Sequence, residues 1–408
     1  QGASAYRRHF GVSARSLLVV GQIALCIVLL IGAALLMRSL ALLENINPGF
    51  DPSHLLTMKI ALPPARYDTG QKKARFFSGL VERVEAIPGA RTAAVAMSLP
   101  STIWIRTNIM QIEGRPALNE REPLLAVIQS VTPGYFQALE IPLLRGREFT
   151  ARDNSPGAPP AIIINKALAR RLWPDYPNGP NPVGRHISEG FDKKVGWLRI
   201  VGISADVHEG GLASNVVPEF YVPCAVHPPQ TAYLMVRTPG DPLRFANAVR
   251  SQVQAIDPDQ SVSEIKTMNA VLEARLGQRR IAMLLLDLFS GMALLLAVIG
   301  IYGTIAYSVS QRTHEIGIRQ ALGAQRFQIL WPVMMRGLGL SLAGIAIGIA
   351  GAFALTRLMK NLLFEVNATD PVIFLGVAVL FLFVSLLASY IPAKRVTEID
   401  PMRTLRVG

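Results

Sequence analysis

Cysteine, histidine and charge are all scarce in this chain, and each scarcity removes a class of function. There are two cysteines, six histidines and only 17% charged residues in 408. Cys26 lies in a long apolar run and Cys224 in a large, more polar segment, so the two cannot meet; no intrachain disulfide is expected, and Cys224 is read as a free thiol. The histidines are scattered. His314-Glu315 and His208-Glu209 each begin like a zinc-protease helix, but Ile318 and Leu212 stand where the second histidine belongs. No GxxxxGK[ST] loop, GxSxG elbow or CxxC pair occurs, which argues against P-loop nucleotide hydrolysis and these familiar catalytic or metal sites. With no nucleophile, metal or acid/base set visible, the chain is read as not an enzyme, and as binding no cofactor or metal itself. Turnover by the purified large segment would revive an enzymatic reading. The net charge of +13 is spread without a basic stripe, so nucleic acid is not an expected partner.

What the chain has in abundance is apolar length. Half its residues are hydrophobic and its mean hydropathy is +0.34, too apolar for a soluble protein of this size and too polar for one wholly in the membrane. Four stretches exceed the roughly 20 residues needed to cross hydrocarbon: Leu17–Met37, Leu284–Tyr307, Gly337–Thr356 and Val372–Ile391. The first is too long for a signal peptide and lacks a small-residue cleavage site, so it is expected to stay as an anchor. Arg7, Arg8, Arg15, Arg312, Arg319, Arg326, Arg336, Lys394, Arg395, Arg403 and Arg406 cluster on one side. Fewer basic residues flank the other side, so both ends are placed in the cytoplasm. The chain does not begin with methionine, and a longer natural protein is expected.

The spans divide the chain into a cytoplasmic leader (1–16), helix 1 with a stalk (17–47), an extracytoplasmic domain (48–267), a second stalk with helix 2 (268–309), a cytoplasmic loop (310–330), helices 3 and 4 (331–391) and a cytoplasmic tail (392–408). The fold class is thus four transmembrane helices plus a large α+β domain of two subdomains between helices 1 and 2. Within that domain Phe76, Phe77, Leu80, Val81 and Val84 follow helical spacing up to Pro88-Gly89, and Ala93–Met97 reads as a strand. A second unit begins at Val127: Thr132, Pro133 and Gly134 open a helix through Ile141, Ala161–Ile164 is a buried strand, and Lys166–Trp173 is a helix stopped by Pro174. Strands at Leu198–Ile203 and Ala232–Arg237 and a helix at Leu243–Ile256 complete it. The subdomains are expected to divide near 120–130 and again near 230.

Between helices 2 and 3 lies QRTHEIGIRQALGAQRFQIL, Gln311–Leu330. Thr313 can cap a helix, Glu315 sits in its first turn and Gly323 suits its end, which predicts a helix over about 314–322. Glu315 and Arg319 are spaced for an ion pair, and Ile318 and Leu322 share one face. An amphipathic helix resting on lipid headgroups has the same pattern. In helix 3, Gly344 and Gly348 form a GxxxG pair, which serves close helix association or is merely tolerated. Asp287 is the one acid within a span; it is either functional or a structural ion pair with Arg280, seven residues earlier on the same face. After helix 3, Leu358–Val366 reads as a short interfacial helix. The spans are otherwise apolar, which argues against a polar substrate route through them.

Arg312–Ala324, RTHEIGIRQALGA, resembles the cytoplasmic loop of FtsX-like and MacB-like permeases of ABC transporters. Pro392–Arg406, PAKRVTEIDPMRTLR, resembles their carboxyl-terminal signature. The order of one helix, a large outer domain and three helices matches as well, with the permease domain over 281–401. LLMRSLALLENINPGFDPSHLLT and PGYFQALEIPLLRGREF are similar to the carboxyl-terminal half of acidobacterial duplicated orphan permeases. The resemblance implies mechanotransmission, used in efflux or other handling of extracytoplasmic cargo in the bacterial inner membrane. A separate cytoplasmic ATPase docks in trans on Arg312, Glu315, Ile316, Ile318, Arg319, Leu322, Gly323 and Ala324; it consumes the ATP, and a homodimer or second permease half completes the assembly in the lipid. A regulator that activates an extracytoplasmic enzyme without transport fits the same motifs and stays open.

Overall fold

The computed structural model describes residues 14–44, 46–102, 107–114, 125–155, 157–189, 196–211, 214–311, 326–358 and 369–397. They form two units, residues 46–277 and the membrane helices on either side.

Period-2 burial builds the outer domain. Along β1 (Leu55–Ala61), β2 (Thr92–Ala96) and β10 (Thr231–Arg237), Leu56, Met58, Val95, Leu234 and Val236 face one core while Leu55, Ala94, Ala96 and Met235 face another. Strands apolar on both faces must be covered on both. With β11 (Val262–Thr267) they form an antiparallel sheet in the order β11-β1-β10-β2. It is covered on one face by α2 (Gly70–Glu85) and α5 (Ala246–Ile256). Thr69 caps α2 by accepting the Lys72 amide, and its apolar stripe of Phe76, Phe77, Leu80, Val81 and Val84 is buried. Its end, like that of α5 before Asp257, falls where the residue pattern predicts.

The second lobe closes on itself. β4 (Leu125–Val131), β3 (Thr107–Ile112), β7 (His186–Glu189), β8 (Trp197–Ser204), β6 (Ala161–Asn165) and β9 (Glu219–Pro223) pair in turn, and β9 returns to β4 in parallel register, Val127 opposite Glu219. β5 (Leu143–Gly146) adds to β8. Inside lie Ile128, Ile162, Ile164, Ile200, Phe220 and Val222, with α4 (Lys166–Leu172) against them. The alternate residues Ala161, Ile163 and Tyr221 point into the core that also takes Ala94 and Met235 of the first lobe. Two lobes are therefore present, but one continuous sheet and a shared third core join them. Their direct strand link is narrow, one pair between Ala96 and Val131. α3 (Tyr135–Leu139) lies in the shared core. It ends two residues sooner than the sequence suggests, because Glu140 takes a left-handed conformation (φ 55°) and the Ile141 amide turns back to the Phe136 carbonyl.

Among the described residues, the membrane unit holds four helices long and apolar enough to span: α1 (Ala14–Glu44), α6 (Met268–Ser310), α7 (Arg326–Leu358) and α8 (Pro371–Thr397). Their apolar spans, Arg15–Leu43, Arg280–Ser310, Trp331–Arg357 and Pro371–Ile391, contain the four expected stretches. The short helix expected at Leu358–Val366 lies outside the described residues but for its first position. Ile23, Ile27, Ile31, Ala297, Ile301, Ile305 and Phe381 form the common interior.

Candidate functional site

All eight predicted coupling residues, Arg312, Glu315, Ile316, Ile318, Arg319, Leu322, Gly323 and Ala324, lie outside the described residues. Their frame is described. α6 ends beside Gln311, whose side-chain amide donates to the Tyr307 hydroxyl at 2.8 Å. The Arg15 guanidinium of α1 sits over the Tyr307 ring, 4.3 Å from its centroid, a cation–π contact worth about 0.5–1 kcal/mol where exposed. Arg336 of α7 donates to Ser308 at 2.9 Å. Helices 1 and 3 are thus both tied to the last turn of helix 2, where the loop begins.

Small residues set the spacing of the membrane helices. A Cβ on Gly344 would lie 2.5 Å from Ile23 Cγ2, and one on Gly348 2.7 Å from Ile27 Cβ. No side chain fits there, and α7 lies directly on α1. On the α8 side the Ser341 hydroxyl donates to the Gly337 carbonyl at 2.9 Å and also bonds Ser385. Such contacts hold helices together where lipid supplies no hydrophobic drive.

Towards the outer end, Arg38 forms an ion pair with Asp370. Asp370 is also the cap of α8, accepting the Val372 amide at 3.0 Å. Their separation of 332 residues hides this pair from any local pattern. Asp287 is exposed. It lines, with Leu30, Arg38, Ile373 and Val377, an open recess of about 620 Å³ between α1, α6 and α8.

In the outer domain the residue that sequence reading missed is Arg237. Only 5% exposed, it donates to the Ala138 carbonyl at 2.6 Å, the Asp51 carbonyl at 2.8 Å, and the Asp51 carboxylate and Ser53 carbonyl at 3.1 Å each. Burial opposes ionisation of Asp51, but bonds from Ser53 and the Arg237 charge outweigh it and hold that carboxyl below its ordinary value. The fork of one guanidinium thereby fixes the segment after α1 to α3 and β10. An arginine closing an apolar strand was the available signal. β1 and β11, the strands that follow α1 and precede α6, pair directly, Leu56 opposite Thr267. Met268, the first residue of α6, is fully buried in the shared core with Val271 and Leu272 against it.

Residues 16–265 match the MacB-like periplasmic core domain and residues 288–401 the FtsX-like permease C-terminal. The uncharacterized ABC transporter permease YknZ of Bacillus subtilis is 23% identical over 309 residues, 72% of this chain and 73% of that one. The macrolide export ATP-binding/permease protein MacB 2 of Yersinia pestis is 24% identical over 68% of this chain and 41% of its own length. The pyoverdine export ATP-binding/permease protein PvdT of Pseudomonas putida is 25% identical over 65% and 40%. The chain spans about half or less of such fused relatives. Among solved structures, the periplasmic region of MacB from Actinobacillus actinomycetemcomitans aligns with 57% of this chain and 97% of its own, at 12% identity and a TM-score of 0.37. With its large outer domain between the first and second of four membrane helices, the chain belongs to the ABC transporter permeases built from a MacB-like periplasmic core domain and an FtsX-like permease domain, multi-pass proteins of the inner membrane.

Proposed function

We propose that this chain passes motion from a separate cytoplasmic ATPase to its outer domain. The ATPase docks on the loop helix around Glu315 and Arg319 and consumes the ATP; the chain itself supplies no catalytic group. The observation that carries this reading is α6. It is one helix from Met268, rooted in the outer domain's core, to Ser310, just before the loop. A continuous hydrogen-bonded helix transmits displacement along its axis better than a jointed linker. The second route is α1, which leads to the Arg237 clamp. A homodimer or a pair of permease halves completes the machine in the lipid, and the export names of relatives favour efflux or handling of cargo outside the membrane.

The test is affinity purification of the full-length protein in mild detergent, wild type against Glu315→Lys. The wild type is expected to retain a nucleotide-binding subunit. In the variant, retention falls about tenfold, the equivalent of about 1.4 kcal/mol, while membrane insertion is unchanged. Equal retention would remove the loop helix from the docking surface.

A further inference from the structure

Two carboxyl groups of the outer domain are buried without a counter-charge among the described residues, and nothing in force transmission uses them. Glu219 opens β9 and, two residues from Tyr221, shares that residue's face towards the core between the lobes. It is fully buried. One carboxylate oxygen, Oε2, accepts the Tyr221 hydroxyl at 2.9 Å; the other, Oε1, has no partner among the described residues. Glu209, in the segment after β8, is 1% exposed and likewise keeps a buried oxygen without a partner among the described residues. Tyr135 of α3 adjoins both acids electrostatically, and its ring lies 5.7 Å from that of Tyr221. The surroundings are Tyr135 from α3, Tyr221 from β9 and Asp206 from the segment after β8, all acids or phenols. Lys166, Arg170 and His208 act on Asp206 instead. No cation among the described residues pairs with either glutamate.

Two buried carboxylates that repel each other, as these do, cannot both ionise without a large cost. Burial raises Glu209 to about 8. Burial, and then the Glu209 charge, raise Glu219 well above its ordinary value. Burial thus favours the protonated form of both groups.

We propose that Glu209 and Glu219 are a proton-linked latch between the two lobes: separating the lobes at this core releases their protons, so the outer domain loosens as external pH rises. The placement supports it. The lobes share one strand pair between β2 and β4, extended by backbone bonds from Met97 to Ser130 and from Thr132 to Val95 and by side-chain bonds between Ser98 and Gln129, and the core that holds Tyr135 and Tyr221 joins them as well. In the open state the carboxyls meet water and return to the ordinary value of about 4.3. Between that value and the closed-state value, opening releases a proton that the closed state retains. The opening equilibrium accordingly rises about tenfold per pH unit for each group. For Glu209 the window closes at about 8.

Cys224 is the built-in reporter. It is buried, follows β9, and its amide bonds the Val131 carbonyl of β4 at 2.8 Å, next to the narrow link. The experiment is alkylation of Cys224 in the full-length protein in detergent, read by peptide mass spectrometry from about pH 6 to about pH 8. Wild-type rates are divided by those of the Glu209→Gln/Glu219→Gln variant, which cancels the thiol's own pH dependence. The ratio is expected to climb at least tenfold per pH unit, and each single glutamine variant to lower the slope by about one proton. A flat ratio overturns the proposal. So does a wild-type rate that added calcium suppresses and a chelator restores, since a cation would then occupy the pair. If the double variant fails to fold, infrared difference spectra of wild type against Glu209→Gln decide: a protonated-carboxyl carbonyl band at neutral pH supports the latch, and its absence sinks it.

Discussion

Gly344 illustrates how much one missing side chain can specify. Its site against Ile23 has no room for a Cβ, whereas a Cβ on Gly339 of the same helix would meet nothing within 4 Å. Gly344→Leu is expected to cost about 1–3 kcal/mol through overpacking and to lower the yield of monodisperse protein on detergent size exclusion. Gly339→Leu should match the wild type, and equal yields for both would make the glycine spacing incidental. GxxxG was legible because the pattern is local. Arg38 with Asp370, Arg237 with Asp51 and the Glu209–Glu219 pair were not, for a common reason. An ion pair or a buried acid is defined by what folding brings alongside it. Asp287, by contrast, was visible as an acid in an apolar run.

At the scale of elements, the spans and most helices of the outer domain were readable because length, periodicity and breakers act within a dozen or two residues. The closed strand ring of the second lobe was not, since register between distant strands leaves no mark on either one. α6 deserves its own test. Met268 is fully buried at its start, while Leu284, further along, is 70% exposed on the apolar span. Met268→Ala is expected to destabilise the outer domain by about 2–5 kcal/mol, seen as a lower unfolding temperature of the purified protein. Leu284→Ala should leave it within about 0.5 kcal/mol. If the two behave alike, the helix is not anchored in the domain as described.

For the molecule as a whole, the proposed function makes continuity of α6 a requirement. Gly277→Pro introduces a helix break of about 3 kcal/mol or more. Its expected outcome is selective: the ATPase still co-purifies, but nucleotide-dependent changes in hydrogen exchange disappear from the outer domain. Persistence of those changes would assign transmission to α1 alone. The pairing of β1 with β11 reaches further. Neighbouring strands lie about 4.8 Å apart, so the chain enters and leaves the outer domain at adjacent points. The domain is in effect a cassette spliced into a membrane scaffold through a single narrow doorway. A lineage could exchange, enlarge or reshape that cassette without redesigning the four membrane helices, and one membrane scaffold could in this way come to carry many different outer domains.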